Sequence, residues 1–306
     1  MLLFDIFAKV VIPLFLLICG GTVLHRKFKL DLHTLAKLNI AYLLPATIFI
    51  KLYSADISPG LFKEIVLFFV VCMLALYLVC KLSSKILRHN RGMTVAFTNS
   101  VLFDNSGNYA IPLNQLVFGG NPLALSIQVL IMSFQSFLTF SYGVIALQSL
   151  DAKRWKALLG YFKMPVFYAL VLGLLFNAIG IRLPDMIFRP LEYVSNALVA
   201  IALLTLGAQI ANLRMQSIRF PVMLSLVLRL LISPAIALMV IALFELDGLA
   251  AQTLLVSSGM PSSVNSAILA QEYDNESEFA SQAVLFSTLL NAFTITGLIA
   301  LSRVLY

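Results

Sequence analysis

The sequence predicts an all-α integral membrane protein with ten transmembrane helices, arranged as two inverted five-helix repeats. Of its 306 residues, 60% are hydrophobic and 11% are charged, whereas a soluble domain carries roughly 25% charged residues. Ten apolar stretches are long enough to cross a bilayer, and polar residues interrupt two of them at matching places in the two halves. A soluble core cannot bury this much apolar surface, so the lipid bilayer is the expected surrounding. Nucleic acid is not an expected partner.

The candidate spans follow from length and apolarity, since a helix needs about 20 mostly apolar residues to cross the hydrocarbon core. They lie at 4–24, 38–55, 61–82, 93–118, 122–148, 161–180, 189–211, 219–244, 248–270 and 279–303. The first contains Asp5 and Lys9 and no small-residue cleavage site, which favours a retained helix over a signal peptide. Cys19, Cys72 and Cys80 show neither metal-site nor disulfide spacing, so no metal or cofactor is predicted.

The charges of the loops predict the orientation in the membrane. With ten spans, both termini lie on one side and the loops alternate between the two sides. Most of the 21 Lys and Arg residues fall in the loops 25–37, 81–92, 149–163 and 212–219. Because cytoplasmic loops carry the excess of Lys and Arg, these loops are predicted to be cytoplasmic. A multi-pass protein of the cell membrane is expected, with both termini extracytoplasmic.

An internal repeat divides the chain into two halves. A shift of 154 residues aligns Gln128 with Gln282 and the run 143–147 with 297–301. Chance matching among common membrane residues is the alternative, but the two interruptions align under the same shift. Each half holds five spans, and an odd number forces the second copy to insert upside down. The predicted organisation is a first repeat at 1–148, a cytoplasmic linker at 149–160 and a second, inverted repeat at 161–306.

Helix-breaking and polar residues interrupt the fourth and ninth spans. Those of the fourth span are Asp104, Asn105, Ser106, Gly107, Asn108 and Pro112, and those of the ninth are Gly259, Pro261, Ser262, Ser263 and Asn265. Lipid cannot satisfy irregular backbone, so such segments persist only inside protein or beside a polar cavity. Two matched broken helices therefore predict the binding site of a secondary transporter. A Pro-kinked helix whose polar groups satisfy one another is the alternative. Gln135 and Asn291 are further polar residues expected to reach a cavity.

Each break exposes helix ends of both kinds. Half-helix N-termini carry unpaired N–H groups and suit an anion, whereas C-termini carry carbonyl groups and suit a cation. The charged residues within the spans, Asp104 and Arg229, must then help to decide whether the site binds an anion or a cation. A charge near the bilayer centre costs several kcal/mol unless it is paired, so these two residues should be paired or functional. Either the two form a structural ion pair, or Arg229 binds a substrate carboxylate while Asp104 carries a proton. Arg229 alone can also extend its long side chain to the cytoplasmic surface.

These motifs resemble the auxin efflux carrier family, which includes the bacterial malonate transporter group. The similar segments are 105–113, with Asn-x-Gly followed by Ala-Ile-Pro-Leu, and 260–265, with Met-Pro-Ser-x-x-Asn. Arg229, five residues before Pro234, is also similar to the family. Ala110 replaces the usual Gly, and Asp104 is not part of the pattern. The resemblance extends over essentially the whole chain.

The resemblance implies a fold like that of the bile-acid symporters and sodium/proton antiporters, in which broken helices 4 and 9 cross near the midplane. It implies a homodimer whose spans one, two, six and seven form a scaffold, and a small carboxylate such as malonate, malate or an auxin-like acid as substrate. The predicted substrate-binding residues are Asn105, Ser106, Gly107, Asn108, Pro112, Gly259, Pro261, Ser262, Ser263, Asn265 and Arg229. Asp104 is assigned to ion or proton coupling.

The expected function is secondary active transport of a small organic anion by alternating access. No nucleotide-binding motif is present in the sequence, so an ion gradient or the substrate gradient must supply the energy. A cation/proton antiporter that uses Asp104 is the main alternative. An enzyme is not expected, because an intramembrane protease needs paired acids or a Ser/His/Lys set at depth, and Asp104 stands alone in the sequence.

Overall fold

The structure, a computed structural model, describes residues 2–55, 57–147, 162–213 and 218–306, which form helices joined by short loops. Seven helices in these ranges are long and apolar enough to cross a membrane: α1 (Leu3–Phe28), α2 (Leu32–Tyr53), α3 (Pro59–Ile86), α5 (Pro122–Leu147), α7 (Asp185–Ala211), α8 (Phe220–Leu243) and α10 (Ser277–Leu305). A shorter apolar helix, α6, covers Pro165–Ala178.

The remaining two helices are each divided in two. The first half of α4, called α4a, covers Arg91–Leu102, and the second half, α4b, comprises a π-helical turn at Ser106–Ala110 followed by Ile111–Val117. In the same way α9a covers Gly248–Ser258 and α9b covers Val264–Glu272. Both interruptions that the sequence predicts are therefore present, and neither segment is a continuous Pro-kinked helix.

The all-helical architecture is confirmed, and every predicted span coincides with a helix or a divided helix. The largest difference is at α2, which begins at Leu32 instead of residue 38. Asp31 caps this helix by accepting hydrogen bonds from the N–H groups of His33 and Thr34. The Thr34 hydroxyl and the His33 N–H hold the pKa of the exposed Asp31 carboxyl below its usual range. Hydropathy misses this first turn because the turn is polar.

The order of the elements is the same in both halves: three helices, then a divided helix, then one long helix. The predicted repeats at 1–148 and 161–306, and the inversion of one relative to the other, stay predictions. The predicted linker at 149–160 lies outside the described residues.

Several helices widen into π-helical turns, four of which end two residues before a proline. These are Phe7–Val11 before Pro13, Asn39–Leu43 before Pro45, Ser106–Ala110 before Pro112 and Leu228–Ile232 before Pro234. Proline lacks the N–H donor, and its ring crowds the carbonyl four residues earlier. A widened turn relieves this crowding and places single side chains away from the regular helix positions. Arg229 lies in one of these turns.

Glycines bring α1 and α7 into direct backbone contact. A Cβ atom on Gly207 would lie 1.8 Å from the carbonyl oxygen of Ile18, and one on Gly21 would lie 2.0 Å from that of Leu204. The Thr22 hydroxyl donates to the Gly207 carbonyl at 2.9 Å. Small residues and interhelical hydrogen bonds are the usual means of helix association in membranes.

The helices α2 and α6 pack against each other in a similar way at Gly173. A Cβ atom there would lie 3.1 Å from the carbonyl oxygen of Phe49. Helix α2 also contacts α7, so α1, α2, α6 and α7 form one packed unit. These are the four helices of the predicted scaffold.

Contacts between loops divide them into the two sets that the charges predict. On one side, His25 lies 3.0 Å from Asn212, Asn275 donates to the Gly92 carbonyl at 3.1 Å, and Arg219 lies 3.5 Å from Glu278. On the other side, Asn177 donates to the Tyr53 carbonyl at 2.8 Å, and Ser126 donates to the Lys51 carbonyl at 2.9 Å. The first set holds the basic loops. Its cytoplasmic location stays a prediction.

Large apolar side chains cover much of the outer surface. On α3, Leu74, Leu78 and Leu82 follow one another at helical spacing and are 58%, 65% and 60% exposed. Monomeric soluble proteins rarely expose contiguous apolar surfaces of this kind. The exposed face of α3 is therefore suited to contact with lipid.

Candidate functional site

The two breaks meet and form a short antiparallel backbone pair. The Asn105 N–H donates to the Pro261 carbonyl at 2.9 Å, and the Ser263 N–H donates to the Phe103 carbonyl at 2.8 Å. Asp104 thus faces Ser262 across the pair. The sequence shift of 154 residues matches Asp104 with Ser258 instead, four residues earlier. The pairing satisfies backbone groups that leave the helical hydrogen-bond pattern at each break.

The C-terminal end of α4a is fully hydrogen bonded. Its last four carbonyl groups have no partner within the helix. The Asn99 carbonyl accepts from the Phe103 N–H at 3.0 Å, and the Ser100 carbonyl accepts from the Ser262 hydroxyl at 2.7 Å. The Val101 carbonyl accepts from Arg229 Nη1 at 3.0 Å, and the Leu102 carbonyl accepts from Gln135 Nε2 at 2.9 Å. Side chains and backbone of the protein therefore occupy the carbonyl groups that a cation would need here.

Carbonyl groups at the C-terminal end of α9a are satisfied in a similar way. Arg229 Nη2 donates to the Ser258 carbonyl at 2.5 Å, and Arg229 Nε donates to the Met260 carbonyl at 2.9 Å. Asn291 of α10 donates to the Gly259 carbonyl at 2.7 Å. Asn291 thus satisfies a carbonyl group at the second break, as Gln135 of α5 does at the first.

Arg229 joins α8 to both divided helices. Its side chain is 1% exposed, and its guanidinium donates to carbonyl groups from both breaks. Its Nη2 atom lies 3.6 Å from the Asp104 carboxylate. The guanidinium therefore sits where two half-helix C-termini concentrate partial negative charge. The predicted ion pair is present, and the side chain does not extend to a loop surface.

Asp104 lies between this arginine and the start of α4b. Its carboxylate accepts a hydrogen bond from the Ser106 hydroxyl, and its side chain is 5% exposed. Asp104 also lines two cavities. A change in its protonation would alter the charge beside both.

Gln128 of α5 holds the two divided helices together. Its Oε1 atom accepts from Asn114 of α4b at 2.7 Å and from the Ser257 hydroxyl of α9a at 2.5 Å. Its Nε2 atom donates to the Ser106 carbonyl at 3.5 Å. One buried amide thus links both divided helices.

A cavity of about 60 Å³ lies at the N-terminal ends of α4b and α9b. Its wall includes Asn105, Ser106, Gly107 and Asn108 at the start of α4b, and Ser263, Val264 and Asn265 at the start of α9b. The side chain of Asn105, the N-cap residue, makes no capping hydrogen bond at α4b, whereas the Ser263 hydroxyl accepts from the Asn265 N–H at 3.2 Å at α9b. The first N–H groups of a helix have no partner within it. The cavity therefore faces partial positive charge.

This cavity continues into a larger one of about 430 Å³. The two share a wall that includes Ile40, Phe140, Gln209 and Asn265. The larger cavity reaches His33, Asn212 and Glu272, next to the loops of the basic set. The site is thus accessible from the side predicted to be cytoplasmic.

The structure separates the predicted site residues into two groups. Those that line the 60 Å³ cavity are Asn105, Ser106, Gly107, Asn108, Ser263 and Asn265, together with Asp104. Those outside its wall are Pro112, Gly259, Pro261, Ser262 and Arg229. The second group shapes the breaks: Pro112 follows the π-helical turn of α4b, and Pro261 and Ser262 belong to the backbone pair. The role of each residue in binding stays a prediction.

The cavity wall also contains polar residues that sequence reasoning missed. They are Asn39 of α2, Thr139 of α5 and Gln209 of α7. Each is a single polar residue in an apolar helix, and such residues more often bond a neighbouring helix. In the sequence, the one feature that could have marked these residues as part of a cavity wall was that each is polar and lies within a predicted span. Gln135, which the sequence does single out, lines the cavity as expected, whereas Asn291 binds the Gly259 carbonyl.

Metal ligands are not grouped in the described ranges. Among residues 2–55, 57–147, 162–213 and 218–306, no three His, Cys, Asp or Glu side chains are placed to hold one metal ion.

The fold and the site define a multi-pass membrane protein that encloses a polar cavity between two divided helices. Residues 152–299 match the family described as "Membrane transport protein". This match confirms the resemblance to the auxin efflux carrier family over the second half of the chain. It is 28% identical over 272 residues to an uncharacterized transporter of Methanothermobacter thermautotrophicus, covering 87% of each chain. It is 24% identical over 263 residues to an uncharacterized transporter of Methanocaldococcus jannaschii, covering 82% of this chain and 83% of the relative.

Proposed function

We propose that the protein is a secondary active transporter of a small organic anion, a mono- or dicarboxylate, that works by alternating access. The match to a family of membrane transport proteins supports transport. One observation favours an anion: α4b and α9b begin at the cavity, whereas the carbonyl ends of α4a and α9a are bonded to protein groups. N–H groups at helix N-termini bind anions, and unpaired carbonyl groups bind cations.

In this proposal the substrate carboxylate lies against the start of α4b. The N–H groups of Ser106, Gly107 and Asn108 and the amide of Asn105 donate to it, and Ser263 and Asn265 approach from α9b. Arg229 supplies positive potential from behind the backbone pair without touching the substrate. Asp104 couples transport to a proton or another ion because its carboxylate adjoins both Arg229 and the cavity.

Alternating access is proposed to follow from the two repeats. The seven long helices, α6 and the two divided helices make ten spans, and inversion of one repeat gives two related conformations. The cavity is open toward the loops of the basic set, and the opposite opening would arise by movement against the unit formed by α1, α2, α6 and α7. A homodimer in the cell membrane, with both termini extracytoplasmic, belongs to the same proposal, as does the likeness to bile-acid symporters and sodium/proton antiporters.

The cation/proton antiporter remains the alternative because Asp104 is a buried acid beside a cavity. Two observations count against it. Asp104 already contacts Arg229 and the Ser106 hydroxyl. The carbonyl groups around the breaks accept hydrogen bonds from Arg229, Gln135 and Asn291, so they are not free to bind a cation.

Ligand-dependent stability tests the proposal. A ligand that binds the native state raises the free energy of unfolding by about 2.7 kcal/mol at 100 times its Kd. We expect thermal unfolding of the purified protein to shift upward with at least one mono- or dicarboxylate, and not with sodium or lithium chloride. A shift with sodium or lithium alone would favour the antiporter and contradict the proposal.

The substitution Asp104→Asn separates the same alternatives in proteoliposomes. The anion carrier should keep exchange of its substrate but lose the dependence of uptake on the ion gradient, because only the coupling group has changed. The antiporter should lose transport altogether. Exchange of labelled substrate, measured with and without a gradient, distinguishes the two results.

A further inference from the structure

Three residues that line the 60 Å³ cavity each have a buried acceptor oxygen without a hydrogen-bond partner, and a carboxylate cannot donate to such an oxygen. We propose that the substrate combines one ionised carboxylate with a neutral hydrogen-bond donor, such as the hydroxyl of a 2-hydroxy acid, and that Gln135 binds this donor together with Asn39 and Gln209. This inference rests on the proposed function and narrows its substrate class. It also implies that fully ionised dicarboxylates bind poorly.

Gln135 is the firmest of these acceptors. Its side chain is 3% exposed and lines the cavity. Its Nε2 atom donates to the Leu102 carbonyl at 2.9 Å. Because a carbonyl can only accept, this bond fixes the orientation of the amide and leaves Oε1 on the other side. That oxygen has no hydrogen-bond partner in the structure.

Two more buried acceptors line the same cavity from other helices. Asn39 of α2 is 1% exposed, and its Nδ2 atom donates to the Thr205 hydroxyl at 3.0 Å. Gln209 of α7 is 8% exposed. Asn39 Oδ1 and Gln209 Oε1 both lack a partner. Burying an unpaired acceptor costs free energy, so three such groups around one cavity indicate a ligand or water that donates to them.

The complementary donors lie at the start of α4b. Asn105 is 5% exposed, lines the cavity, and has an unpaired Nδ2 atom. It precedes the π-helical turn Ser106–Ala110, whose first N–H groups have no acceptor within the helix. The cavity therefore presents a donor group for one carboxylate and, on other helices, acceptors for a hydroxyl.

The charge of the wall argues against a dianion. Of the described residues that line this cavity, none is Lys, Arg or His, and the one charged residue is Asp104. Arg229 lies outside the wall and is paired with Asp104. A second ionised carboxylate would thus be buried beside an acid without a basic partner, which is strongly unfavourable.

The size of the cavity favours a short acid. A volume of about 60 Å³ corresponds to roughly two water molecules, since each takes about 30 Å³ in the liquid. It therefore holds a carboxylate and an adjacent hydroxyl, and longer chains would extend into the adjoining cavity of about 430 Å³.

Three ligands of matched size test the inference by calorimetry or thermal unfolding of the full-length protein. Lactate carries a carboxylate and a hydroxyl, isobutyrate replaces that hydroxyl by a methyl group, and malonate is a dianion at neutral pH. We expect lactate to bind at least tenfold more tightly than isobutyrate or malonate. Malonate should bind more tightly as the pH falls through its second ionisation, whereas lactate, which keeps its charge, should not.

The substitution Gln135→Met assigns the effect to one residue. It should reduce the ratio of lactate affinity to isobutyrate affinity toward one. Because both affinities are measured in the same variant, a general loss of protein stability does not change this ratio. Gln282→Met is the matched control, because Gln282 is also a buried glutamine with an unpaired Oε1 atom but lies outside the cavity wall. If Gln135→Met does not fold, Gln209→Met removes another acceptor and leaves the Leu102 bond intact.

The outcomes separate this inference from the proposed function. Equal binding of lactate and isobutyrate, or tightest binding of malonate at neutral pH, would overturn the donor requirement and leave an anion carrier. An unchanged ratio in Gln135→Met would remove Gln135 from the hydroxyl site and overturn the assignment. Binding of no carboxylate at all would overturn both.

Discussion

Arg229 is the single residue on which the geometry of both breaks depends most. It donates to carbonyl groups of Val101, Ser258 and Met260 and lies 3.6 Å from Asp104. An arginine in an apolar span indicates from sequence alone that a partner exists, because an unpaired charge there is costly. The carbonyl partners were not predictable, since they become available only when the two breaks come together.

Replacing Arg229 by Met should lower the free energy of unfolding by about 3–5 kcal/mol, because the substitution leaves Asp104 and several carbonyl groups buried without a partner. Adding Asp104→Asn should recover part of that loss, as expected for two residues in contact. Unfolding of the purified variants in detergent measures both effects. Arg189→Met is the control, since its ion pair with Asp185 is exposed. Equal stability of wild type and Arg229→Met would contradict the assignment.

The residues that sequence reasoning missed share one property. Asn39 and Gln209 are isolated polar residues within apolar helices, and nothing in their neighbourhood distinguishes a cavity wall from a helix contact. Asn105 and Asn265 were predictable because each stands beside helix-breaking residues. The part of the cavity wall beside the two breaks could therefore be predicted from the sequence, but the part that Asn39 and Gln209 contribute could not.

At the level of elements, glycine and proline determine where the helices break and how closely they approach. The breaks at residues 103–105 and 259–263 were predictable from clustered polar and helix-breaking residues. The π-helical turns before Pro13, Pro45 and Pro234 were not predicted, because a proline in an apolar span is compatible with a simple kink. Tertiary contacts select the widened turn, as the bonds of Arg229 illustrate.

The contact of α1 with α7 is sensitive to a single methyl group. Gly207→Ala places a Cβ atom 1.8 Å from the Ile18 carbonyl oxygen, so the two backbones must separate. We expect a loss of about 1–3 kcal/mol or more in the free energy of unfolding. Gly297→Ala is the matched control, because a Cβ atom in that helix meets nothing within 4 Å. Thermal unfolding compares the two, and similar stability of both variants would show that the helices do not touch at Gly207.

The link through Gln128 predicts a second element-level effect. Gln128→Leu removes the acceptor of Asn114, whereas the Ser257 hydroxyl keeps the Thr253 carbonyl, and a buried group left unsatisfied costs about 1–3 kcal/mol. The variant should unfold at lower temperature, and proteolysis should cut it more readily near both divided helices. Gln282→Leu provides the control in α10. Unchanged proteolysis near residue 105 would argue against a link between the two divided helices.

At the level of the whole molecule, the sequence predicted the order of the helices in the described residues better than their ends. Apolar length identifies a span, but polar first turns such as that after Asp31 lie outside any hydropathy window. The packing of α1, α2, α6 and α7 depends on close approach at Gly21, Gly173 and Gly207, which composition does not reveal. The inverted relation of the halves rests on the odd number of spans in each.

Labelling from outside the cell tests that inversion. Lys27 at the end of α1 and Arg182 before α7 occupy similar places in the two halves, and both are exposed. In a protein whose three native cysteines are replaced, Arg182→Cys should react with a membrane-impermeant thiol reagent and Lys27→Cys should not, because inverted repeats place them on opposite sides. Reaction of both from the outside would exclude inversion.

The two divided helices meet, and we propose that a carboxylate binds at the N-terminal ends of α4b and α9b. An experimental structure of the protein with a bound carboxylate would test this binding site. We expect the carboxylate within hydrogen-bond distance of the Ser106–Asn108 N–H groups and of Asn105 Nδ2, with Arg229 still bonded to both breaks. Continuous α4 and α9 helices, or a carboxylate bound elsewhere while this cavity stays empty, would contradict it.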